Sequence, residues 1–139
     1  MKVLVAADAR WVRDQVRSAL VAPGQEVIEV TRGQDVRDAV AEHEPDLVLL
    51  DLQIGNMGAI AVAIDLHLEE SGGRLPHVPI LLLLDRQADR FLAKRAAAEA
   101  VLVKPVDPGT LRRTVRRLVG GDERAQAFRE VSSETTDLQ

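Results

Sequence analysis

The sequence predicts an α/β fold: a parallel sheet held between layers of helices. Two apolar runs carry that reading, Leu47-Val48-Leu49-Leu50 and Ile80-Leu81-Leu82-Leu83-Leu84, each free of turn residues and each closed by an acid, Asp51 and Asp85. Runs without polar alternation are the mark of strands covered on both faces, as in the middle of a parallel sheet. The second observation is alternation, since strand-like and helix-like segments follow one another five times along the 139 residues. Such alternation implies right-handed crossovers and one layered core, and a chain of this length suits a single domain. The third is composition: 46% hydrophobic but only 2% aromatic, which favours aliphatic layers over an aromatic-rich binding surface.

The elements follow in order. Val3 to Ala7 reads as a strand closed by Asp8. Arg10 to Ala22 then has Val12, Val16, Ala19 and Leu20 at helical spacing before Pro23-Gly24 stops it. Val27 to Val30 is a short second strand, and Gly33-Gln34-Asp35 opens a helix with Val36, Ala39 and Val40 on one face, ended by Glu44-Pro45. The central strand closes on Asp51, and a third helix is expected from Gly58 to Glu70, with Ile60, Ile64 and Leu68 four apart, until Ser71-Gly72-Gly73 breaks it. Pro79 precedes the fourth strand, Ala88 to Ala98 is a fourth helix, Val101 to Val103 a fifth strand, and Pro108 to Val119 a fifth helix. Residues 1–120 thus form the expected domain. Residues 121–139 form a polar tail, in which Asp122 to Val131 has the composition of one short helix and Ser132 to Asp137 that of a disordered segment.

Several classes are set aside by composition. Cysteine is absent, which excludes disulfides and thiolate metal sites and fits a reducing cytoplasm. The N-terminal apolar run is too short for a signal peptide, and no run reaches the roughly 20 residues of a membrane span. The formal charge of −4 gives no support to direct nucleic-acid binding. His43, His67 and His77 are dispersed without metal-ligand spacing.

Asp51 is the centre of the functional reading, because ligands of open parallel sheets bind at the carboxyl ends of the strands. The alternating strands and helices, Asp8 closing strand one, Asp51 closing strand three with Met57 six residues later, and Lys104-Pro105 after strand five together resemble the receiver domain of two-component response regulators. The resemblance covers residues 1 to 120. It implies a doubly wound, flavodoxin-like three-layer sandwich with strand order 2-1-3-4-5, which brings Asp8 and Asp51 together at the switch point. It also implies that Asp51 is a phosphoacceptor and that Asp8, Asp51 and the backbone carbonyl of Gln53 hold Mg²⁺. Lys104 then pairs with the acceptor carboxylate and later with the phosphoryl group, and the Lys104-Pro105 bond is cis.

The departures from that pattern are equally specific. Ala7 stands where receivers carry a second acid, so Mg²⁺ binding is expected to be weak. The hydroxyl position at the end of strand four falls on Leu84, or on Asp85 if the alignment slips by one; an acid there repels phosphate. Val101 replaces the aromatic switch, Gly55 replaces a proline, and the segment before Lys104 is about two residues short, so helix four or its leading loop is expected to be shortened.

Plainer readings accompany each residue. Asp51 alone is also a solvated strand-end acid, Asp8 a helix cap, Lys104 a loop lysine, and Trp11 a packing or surface residue. Arg112, Arg113, Arg116 and Arg117 form a basic stripe that is either a solvated face or part of a docking face made by helix four, strand five and helix five. The leading expectation is an atypical single-domain receiver, not an enzyme, in two-component signal transduction. Its partners are a sensor histidine kinase or other phosphodonor and a downstream protein, with a homodimer also compatible. The alternative is a phosphorylation-independent pseudo-receiver serving as a binding or dimerisation module. A flavodoxin-fold enzyme or nucleotide binder is weakest, because no glycine-rich phosphate cradle follows strands one or three.

Overall fold

The computed structural model describes residues 1–55 and 57–132, with side chains described as far as Gly120. Five strands, β1 (Lys2–Ala6), β2 (Glu26–Val30), β3 (Leu47–Asp51), β4 (Ile80–Leu84) and β5 (Ala100–Val103), form one sheet of order β2-β1-β3-β4-β5. Every pairing is parallel. The helices are α1 (Arg10–Ala19), α2 (Val36–His43), α3 (Ala59–Ser71), α4 (Leu92–Ala96) and α5 (Pro108–Ser132), with 3₁₀ turns at Gly33–Asp35 and Gln87–Phe91. The doubly wound sandwich and its strand order are therefore those expected. Among the described residues no helix is long and apolar enough to cross a membrane.

The period-two alternation of strands splits the apolar runs between two cores. Val3, Val5, Leu47, Leu49, Leu81 and Leu83 face Val12 and Val16 of α1 and Leu111 and Val115 of α5. Leu4, Ala6, Val48, Leu50, Leu82 and Leu84 face Val36 and Val40 of α2 and Val62 and Leu66 of α3. Strands buried on both faces have no place for a polar residue, so polar chemistry is confined to their ends. The register aligns those ends: Ala6 lies beside Leu50, Asp51 beside Leu83, and Leu84 beside Val103.

Several boundaries differ from expectation. α1 stops at Ala19, because the Leu20 amide already closes the last turn on Val16 and Arg17 carbonyls. On α3 the buried residues are Ala59, Val62, Ala63 and Leu66, whereas Ile64 and Leu68 are exposed. The shortening before Lys104 falls on the fourth helix itself, a 3₁₀ turn followed by only five α-helical residues and ended by Ala97 in the left-handed region at φ 51°. α5 does not end at Val119 but runs unbroken through Gly120-Gly121 to Ser132. Glycine costs a helix about 1 kcal/mol relative to alanine, which weakens a helix without forbidding it. The helix begins on Asp107, whose Oδ2 accepts from the Thr110 amide at 2.9 Å with Pro108 in the first turn. The segment expected to be disordered after Ser132 lies outside the described residues.

Candidate functional site

The carboxyl edge of the sheet opens into a cavity lined by Asp8, Trp11, Asp51, Gln53, Asp85 and Lys104, together with Ala9 and Val12. Asp8 lies just past β1, Asp51 ends β3, Asp85 is the first residue after β4, and Lys104 is the first after β5. The sheet order makes these ends neighbours. The backbone reinforces the arrangement, with the Lys104 amide donating to the Leu84 carbonyl at 2.8 Å. The Lys104-Pro105 peptide bond is cis, as the resemblance implied.

Asp51 and Lys104 are the most enclosed pair in this cavity. Lys104 Nζ donates to Asp51 Oδ1 at 2.5 Å, with 9% and 2% of the two side chains exposed. The Gln53 amide also donates to Oδ1, at 3.2 Å. Both described hydrogen bonds of this carboxylate fall on one oxygen, leaving Oδ2 as its unclaimed lone-pair site. Lys104 reaches a second acid, donating to Asp85 Oδ1 at 3.0 Å, while the Gln53 side-chain amide donates to Asp85 Oδ2 at 2.6 Å. Burial opposes the charge on Lys104, but hydrogen bonds to Asp51 and Asp85 more than offset it and hold the ammonium above its ordinary range. The hydrogen bond from Lys104 holds the Asp85 carboxyl below the usual range, against a smaller opposing effect of burial.

The β1 side is differently built. Ala7 is fully buried against α1 and α5, so the second acid missing there is replaced by core. Arg13 spans the Ala7 and Asp8 carbonyls at 2.9 and 2.7 Å and is anchored on Glu29 at 3.0 Å, which fixes the loop carrying Asp8. The Asp8 carboxylate makes none of the described hydrogen bonds and lies close to Gly55, where an added Cβ would come within 3.2 Å of its Oδ2. Asp8 and Asp51 Oδ2 therefore bring carboxylate oxygens without described hydrogen bonds to one cavity, the kind of donor a hard divalent cation takes while keeping several waters. Among the described residues no group of three His, Cys, Asp or Glu side chains is gathered as a metal cage, so any such ion would rest on two carboxylates.

The residues expected to work together, Asp8, Asp51, Gln53 and Lys104, do line one cavity. The choice left open at the end of the fourth strand is resolved by geometry: Leu84 is buried in the core between the sheet and α2–α3, and Asp85 faces Lys104. Trp11 is a surface residue, 56% exposed, and its ring also lies 5.9 Å from Lys104 Nζ at the cavity mouth. Its signal in the sequence is only its position three residues after Asp8, in the first turn of α1. Val101 is half-buried against the α2–α3 core, without an aromatic ring to rotate. Of the four arginines expected as one basic stripe, Arg112 and Arg116 border a cleft toward α1, while Arg117 borders one toward β5 with Arg90. His67 and His77, ten residues apart in sequence, both approach Glu70, at 3.9 and 3.1 Å.

Comparison with known proteins agrees with this fold. The model of the response regulator receiver domain matches residues 3–116. Protein PilH of Pseudomonas aeruginosa is 25% identical over 120 residues, which cover 86% of this chain and 98% of PilH. The transcriptional regulatory protein KdpE of Mycobacterium tuberculosis is 33% identical over 98% of this chain, which spans only 60% of KdpE. The receiver domain of sensor histidine kinase PA1611 from Pseudomonas aeruginosa, solved with a magnesium ion coordinated in its active-site cleft, superposes with a TM-score of 0.70. It is 23% identical and is covered over 97% of its length and 86% of this chain. The chain belongs to the response regulator receiver domains of two-component signalling.

Proposed function

We propose that Asp51 is the phosphoacceptor of this receiver. The observation that carries the proposal is the division of labour on its carboxylate: Oδ1 is held by Lys104 and the Gln53 amide, while Oδ2 takes none of the described hydrogen bonds. Oδ2 is then the nucleophile. It forms a bond to phosphorus as the bond from phosphorus to the donor's leaving group breaks, that group departing with the electron pair and taking up a proton. Lys104 stays within reach as a point charge for a phosphoryl oxygen. Asp8, Asp51 and the Gln53 carbonyl would hold Mg²⁺, which when bound offsets the negative charge of the phosphoryl oxygens. With Ala7 in place of an acid, the affinity for that ion is low.

Receiver domains take phosphoryl groups from histidine kinases and act on downstream targets. For this chain the donor is a sensor histidine kinase or a small phosphodonor, the site of action is the cytoplasm, and the output is protein contact. The cleft of Arg90, Val101, Thr114 and Arg117 between α4, β5 and α5 is the proposed docking face. Acetyl phosphate with Mg²⁺, read by intact mass, tests the acceptor. A phosphoryl increment in the native protein and none in Asp51→Asn is expected; no increment under conditions that label an active receiver in parallel overturns it.

A second reading, a constitutive binding module, is favoured by one observation: Lys104 is already paired with two carboxylates, and Leu84 and Val101 carry no switch chemistry. Unchanged partner binding in Asp51→Asn and Asp51→Glu would support that module over a switch.

A further inference from the structure

We propose that Asp85 governs how readily this site accepts a phosphoryl group, because its carboxylate occupies from within the chain the donors that an incoming phosphoryl oxygen needs. The proposal rests on the reading of Asp51 as acceptor.

Lys104 carries three N–H donors. One goes to Asp51 at 2.5 Å and one to Asp85 at 3.0 Å, and with 9% of the side chain exposed the ammonium has little access to solvent for the third. The other side-chain donor at the acceptor, the Gln53 amide, is also committed to Asp85, at 2.6 Å. Two donors from different strand ends thus converge on one carboxylate, Lys104 on Oδ1 and Gln53 on Oδ2. That is how an anion seat is built, and the seat is filled by Asp85.

The occupant is held there by its surroundings. Leu84, immediately before it, is locked in the core and in register with Val103. Arg86, immediately after it, gives its described hydrogen bonds to the buried Asp89 in a two-point contact at 3.0 and 3.3 Å, and acts on Asp85 through its charge alone. Asp85 itself is 35% exposed and stands on the solvent side of Lys104. A phosphoryl group arriving at Asp51 Oδ2 must displace Asp85 from Lys104 or sit beside a carboxylate left without its partner. Either route lowers affinity for the anion and slows transfer.

Asp85→Asn keeps the shape and an acceptor for Lys104 while removing the charge, and Asp85→Ser provides a smaller neutral side chain as a second variant. Beryllofluoride, a phosphoryl analogue, is titrated with Mg²⁺ by fluorine NMR, and acetyl phosphate labelling rates are read by intact mass, on native protein, both variants and Asp51→Asn. Both Asp85 variants are expected to bind beryllofluoride about tenfold tighter, the equivalent of ~1.4 kcal/mol, and to label faster, with Asp51→Asn silent in both assays. Affinities and rates equal to those of native protein, with Asp51→Asn silent, overturn the role of Asp85 and leave the acceptor intact. Labelling confined to the Asp85 variants supports the proposal and overturns native Asp51 as an acceptor. No binding or labelling in any folded variant overturns both.

Discussion

The two sides of Asp51 are built on opposite plans. Toward β1 there is one carboxylate, Asp8, with no described hydrogen bond and with a buried alanine where a second acid would stand. Toward β4 and β5 there is an ammonium between two carboxylates, a side-chain amide on one of them, and an indole ring at the mouth. One side is short of charge and open; the other has its donors already taken. On the proposed reading of Asp51 as acceptor, the difference teaches that its reactivity is set by neighbours, because a phosphoryl group needs both cation binding on one side and free donors on the other.

The comparison can be broken in stages. The largest effect is on chemistry: Asp51→Asn removes the shared carboxylate, and acetyl phosphate labelling followed by intact mass is expected to vanish. Next is Lys104→Met, which leaves the side chain of Asp51 2% exposed and without its cation. Removing one member of a buried pair costs about 3–5 kcal/mol, so the urea midpoint should fall sharply. An unchanged midpoint would mean that the ammonium does not neutralise Asp51.

Smaller effects separate the sides further. Ala7→Asp adds an acid on the deficient side, and Mg²⁺ binding, followed by the emission of the single tryptophan, Trp11, is expected to tighten about tenfold, ~1.4 kcal/mol. No tightening would show that the β1 side is limited by something other than charge. The smallest is the stability lost in Asp85→Asn, under about 1 kcal/mol, since this pair is more than a third open to solvent on the Asp85 side and is screened.

That last difference should depend on pH in a defined direction. The carboxyl of Asp85 is held low in the fold by Lys104, so its contribution is fully present above the ordinary value near about 3.9 and is lost as pH falls through the folded value. Urea midpoints of native protein and Asp85→Asn should therefore differ by a constant amount near neutrality and converge below about pH 4. At the alkaline end the sign reverses. Lys104, despite the opposing effect of burial, is held high by its two acids, so its contribution is present below about 10.4 and disappears as pH rises through the folded value.

Much of the architecture was legible because it depends on local pattern. The apolar runs ending at Asp51 and Asp85, the breaks at Pro23-Gly24 and Ser71-Gly72-Gly73, and the five alternations are properties of neighbouring residues, and all five strands formed there. The face of α3 was not legible, since apolar residues surround most of that helix and only contact with the sheet selects Val62 and Leu66 over Ile64 and Leu68. Nor was the end of α5, where a glycine pair raises the cost of a helix without setting its length. In the candidate site, Asp8, Asp51, Gln53 and Lys104 could be named from the resemblance to receiver domains, whereas Trp11 reaches Lys104 from 93 residues away in the chain and Asp85 could not be told from Leu84 by alignment.

The sequence by itself determined that this protein is a layered parallel sheet with acids at the ends of its apolar strands, because hydrophobic periodicity and turn residues act over a few positions. Only the tertiary structure decided which of those acids share Lys104. A one-residue step along a strand reverses the side on which a side chain emerges, and the register of β4 against β5 sends Leu84 into the core and Asp85 to the lysine.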